Sequence, residues 1–302
     1  DLHSFPTRRS SDLRTFKISG EEYGVYPLSA EQKRMWFLYN VGKNSSYYNI
    51  TFGIGIKGEL DEGLLEKAIA GILDDQKILR TNIIVLDGEA FQTVDAEYSF
   101  SLKTVEARDS KEEDKIFSDE YRKPFDLERE IPFRAILLRR SAADHVLLVN
   151  VHHMFCDGWS MGVLRRQLFE NYNALKNGTY CHRDNEIQYF DYALETEESK
   201  EEDRKFWEEH LKNADFSTEL PQSHPQVKAD GGFNAEVPVL SSEKVRSYCI
   251  DHKISAYTFF LGVYGFMLHS CSGETDFVTG TPVLNRKDRK STRLNSSHTN
   301  LS

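Results

Sequence analysis

Residues 145–160 read HVLLVNVHHMFCDGWS. The first eight are almost continuously apolar, the pattern of a central strand buried on both faces. Side chains alternate along a strand, so His152 shares one face with Val146, Leu148 and Asn150, and His153 shares the other with Leu147, Val149 and Val151. Only one of the two histidines can enter a given cleft. A helix is expected directly afterwards, over 160–177, with Leu164, Leu168 and Leu175 along it and Gly178 at its end. Two His, an Asp and a Gly therefore gather where a buried strand hands over to a helix. Gly158 adds a backbone conformation closed to other residues and a bare N–H that a ligand can approach.

The segments on either side repeat this interleaving. Upstream, Tyr48, Ile50, Phe52, Ile54 and Ile56 alternate through a half-buried strand at 48–57. Ser29, Ala30, Glu31 and Gln32 form a capping-box start for a helix reaching Asn40. Asp61 is placed to cap a helix whose apolar stripe is Leu64, Leu65, Ala68, Ile69, Ile72 and Leu73. Strands are expected near 79–86, 90–95, 98–105 and 133–139, with a polar helix over 111–122 that stops before Pro124. Downstream, helices are expected near 189–195, 200–213, 243–252 and 256–271. The last is apolar nearly all round and is expected to be buried. Residues 216–230 read as a loop, 233–240 as a strand and 276–282 as a final strand. The fold class is α/β (α+β mixed sheet).

Composition narrows the function classes. Of 302 residues, 39% are hydrophobic, with 19 Phe and 14 Tyr, enough for a sizeable core. A net charge of −10 gains nothing from a polyanion, so nucleic acid is not an expected partner. No run of about eighteen apolar residues marks a membrane helix. Residues 1–13 lack the apolar core of a signal peptide. The four cysteines, Cys156, Cys181, Cys249 and Cys271, form no C-x-x-C pair, and a reducing cytoplasm is the expected compartment.

The two ends, DLHSFPTRRSSDL at 1–13 and RKSTRLNSSHTNLS at 289–302, show no periodicity. They resemble translated sequencing-adapter sequence and are expected to be non-native tails outside the fold.

The His-His-Asp-Gly cluster admits several bare readings. It could be a strand end with satisfied histidines and an Asp that caps the helix. A metal site is disfavoured, because adjacent strand histidines diverge and no further His or Cys is suitably spaced. A Cys156–His nucleophile pair lacks a companion motif.

The motif HHxxxDGWS at 152–160 resembles the signature of the condensation domains of nonribosomal peptide synthetases. Its core HxxxDG resembles that of chloramphenicol-acetyltransferase-like acyltransferases in general. Further stretches match that family in order: LSAEQKRMW at 28–36, KILRT at 77–81, PFDL at 124–127 with PFRA at 132–135, YFDYA at 189–193 and VTGTPVLNR at 278–286. The second departs from the usual RHExLRT, with Gln76 and Lys77 in place of His and Glu. The resemblance covers about 14–286 and implies two acetyltransferase-like lobes set in a V, the second incomplete. Residues 14–180 would be the N-terminal lobe and 181–288 part of the C-terminal one.

The resemblance implies amide formation between two substrates held on 4'-phosphopantetheine arms of donor and acceptor carrier domains, beside an adenylation domain, with no directly bound cofactor. It makes His153 the active histidine and the Gly158 N–H an oxyanion donor. It leaves His152 and Asp157 structural, with Asp157 paired to Arg286, or to Arg80 in reserve. Arg34, Trp36, Tyr189 and Asp191 are expected to brace the lobes, and Trp159 to pack. The piece at hand is expected to be inactive alone. An epimerisation domain, a stand-alone acyltransferase or a silent carrier-docking module are the alternatives on the same fold.

Overall fold

The computed structural model describes residues 14–18, 21–42, 45–107, 109–183, 188–195, 201–214 and 241–281. Both polar ends, the expected loop at 216–230, the expected strand at 233–240 and Arg286 lie outside these. Described residues up to Glu195 form one compact unit and those from Glu201 a second.

The first unit holds two sheets. One takes β1 (Arg14–Ile18), β2 (Glu21–Pro27), β5 (Glu89–Val94) and β4 (Thr81–Leu86) in that spatial order, all antiparallel. Asp87 and Gly88 join β4 to β5 at φ 51° and 85°. An Asp-Gly pair adopts such positive values readily, and they match the hairpin twist. The other sheet takes β3 (Asn49–Lys57), β8 (Asp144–His152), β7 (Phe133–Ser141) and β6 (Lys103–Glu106). It is mixed, because β6 runs parallel to β7 while the other pairs are antiparallel. β8 is interior, and every residue from His145 to His152 is buried.

Helices cover both faces of that sheet. α2 (Glu62–Asp75) and α4 (Gly158–Lys176) close one face. Leu65, Ile69, Leu73, Leu164 and Leu168 meet Leu137, Leu147, Val149 and Val151 there, forming the main core. α3 (Ser110–Arg122) closes the other face, with Ile116 and Phe117 on Ile136, Leu138, Val146 and Leu148. That close approach needs glycine in β3, since a Cβ on Gly53 would lie 2.9 Å from the Phe117 ring. The caps follow the sequence. Ser29 opens α1 (Ala30–Val41) with a full capping box, and the Asp61 carboxylate accepts from Leu64 N at 2.9 Å. α5 (Tyr189–Glu195) lies with this unit, and Phe190 stacks on Tyr26 at 4.0 Å. These contacts carry the first unit beyond residue 180.

The second unit contains α6 (Glu201–Leu211), α7 (Ser242–Asp251) and α8 (Ala256–Ser272). No single described helix is long and apolar enough to cross a membrane.

Several expectations need correction. β1 and β2 carry weak alternation and escaped the sequence reading. The strand expected at 98–105 shrinks to β6, while Tyr98 and Phe100 pack against the core from a loop. Residues 276–281 are not a strand, since no described strand offers them a ladder to pair with. α8 is not buried: Phe266 is 72% exposed and only Leu268 is enclosed. All-round apolarity marks a helix that wants cover, and among the described residues most of that cover is missing.

Candidate active site

β8 ends on His152, residues 153–155 make a turn, and α4 starts at Gly158. Three backbone bonds fix this path. His152 N donates to Pro132 O (3.1 Å), His153 N to Tyr48 O (2.8 Å) and Phe155 N to His152 O (3.0 Å). The two imidazoles then part company. His152 is 2% exposed, with Tyr39, Phe125 and Phe155 meeting its ring at 6.1–6.4 Å and Tyr48 tilted against it. Met154 N donates to its Nδ1 at 3.2 Å. A backbone N–H only donates, so Nδ1 is bare and the ring proton sits on Nε2. Burial, and then the neighbouring His153, pull the His152 pKa down to about 3, so this ring is neutral at physiological pH. His153 is partly exposed.

Asp157 is fully buried and caps α4, its Oδ1 accepting from Ser160 N (2.7 Å) and Ser160 Oγ (2.6 Å). The capping reading is thus part of its role. Gly158 is exposed as the first residue of α4, where a helix N–H has no intrahelical acceptor. Its expected special backbone is not found. The described glycines with positive φ are Gly58, Gly88, Gly178 and Gly273. A Cβ at Gly158 would meet nothing within 4 Å. The protein's own packing therefore does not require glycine; a side chain there would obstruct only the open space beside the amide. Cys156 is enclosed, 3.4 Å from the Met161 sulfur, and burial pushes its thiol pKa up, the reverse of an activated nucleophile. Among the described residues no three His, Cys, Asp or Glu side chains are grouped to hold a metal ion.

The supporting residues divide. Tyr189 is buried and its hydroxyl meets Ser29 Oγ at 2.8 Å, tying α5 to the cap of α1 within the first unit. Asp191 accepts from Gln188 N at 2.7 Å at the start of α5. Trp36 stacks on Tyr39 at 5.2 Å. Arg34 lies 3.8 Å from Glu31 on the half-exposed side of α1. Trp159, expected to pack, is 38% exposed. Arg80 is not a partner of Asp157. Its guanidinium donates to Leu73 O (3.2 Å) and Asp95 O (2.7 Å) and lies over the Tyr98 ring.

Tyr39, Tyr48 and Phe125, which enclose His152, were missed as site residues. PFDL at 124–127 was noticed only as a match; the signal for Phe125 lay there. Nothing in the sequence pointed Tyr39 of α1 toward a histidine far along the chain.

A mixed sheet whose central strand ends in HHxxxDG, beside a helix opened by that Asp, defines a chloramphenicol-acetyltransferase-like fold. A family model for the condensation domain matches residues 22–297, and the chain belongs to that family, the condensation domains of nonribosomal peptide synthetases. It is 31% identical over 294 residues to a linear gramicidin synthase of Brevibacillus parabrevis, covering 90% of this chain and 4% of that protein. Bacitracin synthase 2 of Bacillus licheniformis is 25% identical, over 95% of this chain and 11% of its own length. The chain thus spans a small part of these relatives. Among solved structures, the X-domain from teicoplanin biosynthesis superposes with a TM-score of 0.71 at 24% identity, over 87% of this chain and 61% of that one. The first condensation domain of the calcium-dependent antibiotic synthetase gives 0.74 at 16%, over 90% and 67%. At such identities the likeness is one of fold.

Proposed function

We propose that this domain joins a carrier-bound acyl or peptidyl thioester to the amine of a carrier-bound aminoacyl acceptor. The acceptor nitrogen attacks the thioester carbonyl, the C–S bond breaks, and the donor arm leaves as a thiol. The ammonium must shed a proton before or during attack, and an imidazole suits that transfer. His153 is the group assigned to it, as base or as positioner of the amine. The Gly158 N–H at the start of α4 faces the developing oxyanion, aided by the positive end of the helix. Asp157 is assigned a structural role, its carboxylate paired with Arg286. The substrates ride on 4'-phosphopantetheine arms of donor and acceptor carrier domains, with an adenylation domain alongside, in the cytoplasm.

One observation carries this reading: a partly exposed His153 stands directly beside a dry, neutral His152, so only one imidazole of the pair is open to a substrate. The test is amide formation from donor- and acceptor-loaded carrier proteins, in a domain completed by a homologous C-terminal half. His153→Ala is expected to abolish it with little loss of fold. Turnover of free coenzyme A thioesters in preference to carrier-bound ones would favour a stand-alone acyltransferase. A docking module is the second reading, since one solved relative is an X-domain in complex with OxyB. An intact His153 and Gly158 weigh against it, because docking alone places no demand on an open imidazole or a bare amide.

A further inference from the structure

The end of α3 is held from an unexpected direction. The last carbonyls of a helix have no intrahelical donors. Here three strands of the adjoining sheet supply them. Asn150 Nδ2 in β8 donates to Glu120 O at 2.7 Å. Asn49 Nδ2 in β3 donates to Tyr121 O (2.8 Å) and Lys123 O (2.9 Å). Arg134 in β7 donates to Lys123 O (3.0 Å) and Pro124 O (2.7 Å). Both asparagines are buried, and each leaves its Oδ1 buried without a hydrogen-bond partner among the described residues. Apolar strand residues with a glycine cap would end the helix without stranding two acceptors. What the clamp adds is the placement of the next residue. Phe125 lies under the Arg134 guanidinium, 3.9 Å to its centroid, and presents its ring to His152 at 6.3 Å. Asn49 is also the register partner of His152, and Asn150 precedes it by two on the same strand face.

We propose that Asn49, Asn150 and Arg134 are positioning residues for His153, acting through Phe125 and His152. The clamp fixes Phe125 against His152 and keeps that ring dry, with Nδ1 bare. Nδ1 then holds Met154 N–H and, with it, the turn that presents His153. The proposal rests on the reading of His153 as the group that handles the acceptor amine.

The experiment is nitrogen NMR of the His152 ring in the 302-residue chain. The unsubstituted protein is expected to show one protonated and one bare ring nitrogen, the bare one assigned to Nδ1. Arg134→Met and Asn150→Leu are expected to lose that separation, the two signals merging as the ring wets and exchanges. Asn171→Leu is the matched control. Asn171 is a buried amide whose Nδ2 donates to Ala68 O at 3.3 Å, well past the first turn of α4. It should lower the melting temperature and leave the His152 signals intact. A proton on Nδ1 in the unsubstituted protein overturns the proposal, whatever the variants do. So does an unchanged His152 in either folded clamp variant, or an equal loss in the control. No turnover is read, so a domain that makes no amide would sink the functional reading and leave the clamp to be judged on His152.

Discussion

His152 and His153 are chemically identical side chains one residue apart, and their surroundings differ: one is buried and the other partly exposed. His152 has surrendered hydration on every side to aromatic rings, and a folded pKa of about 3 follows. In the unfolded chain the same ring titrates near 6.5. Unfolding therefore takes up a proton between those values, so the ring's stabilising contribution is complete above about pH 6.5 and is lost as pH falls toward 3. From pH 6.5 to 5 the loss is about 2 kcal/mol. Glu62 and Asp144, held low by Arg139 and Lys57, give up their contributions only at more acid pH. Urea unfolding at pH 7 and pH 5 should show this decline in the wild type and a much flatter response in His152→Ala. The variant should itself be weaker at pH 7 by about 1–3 kcal/mol, since Met154 N–H loses its acceptor. His153→Ala should do the opposite, keeping its melting temperature and losing about a hundredfold or more in rate in a completed domain. The reverse pattern in the two variants would sink the division of labour. A difference in burial between the two rings was expected from strand alternation, although His153 itself lies in the turn after β8. The enclosure by Tyr39 and Phe125 was not, because it depends on where a distant helix and loop land.

At the scale of elements, the decisive joint is the one between β8 and α4, where Asp157 caps the helix and a second, proposed role can be resolved by separate substitutions. As a helix cap it holds Ser160 N and Oγ, a role whose loss costs about 0.5–2 kcal/mol. As one half of the proposed buried pair with Arg286, its removal would strand a charge at about 3–5 kcal/mol. Asp157→Asn keeps the capping oxygen and removes the charge, so chemical denaturation should find it nearly as weak as Asp157→Ala. A near-native Asn variant would leave capping as the whole account. A soluble, fully stable and inactive Asp157→Ala would move the residue into catalysis. Caps and alternating strands were readable in advance because they are local: Ser29, Asp61 and the β3 and β8 faces follow from neighbours within a turn or two. β6 and residues 276–281 were overcalled because a strand exists only where another backbone meets it.

At the scale of the molecule, the two units differ in how their apolar surface is spent. The first encloses a continuous core between α2, α4 and the mixed sheet. The second leaves Tyr257, Val263, Tyr264, Phe266 and Met267 of α8 exposed, beside a groove of about 670 Å³ lined by Val245, Cys249, Ile250, Ile254 and Phe260. Exposed apolar patches of this kind drive association. The 302-residue chain is therefore expected to self-associate with rising concentration in analytical ultracentrifugation, and Phe266→Glu to reduce this without altering the first unit. Two tethered reactants react quickly only when they are held in line and shielded from water. We propose that His153 forms one wall of the reaction centre and that the opposite wall comes from the part of the family fold this chain does not span, since it covers 61% and 67% of two solved relatives. Supplied with loaded donor and acceptor carriers, the chain alone should release hydrolysed donor and no amide. A fusion carrying a homologous C-terminal half after Arg286 should be monodisperse and make the amide, dependent on His153. Amide formation by the unfused chain would refute the requirement for a second wall. A well-folded, silent fusion with His153 in place would shift the assignment to a docking module.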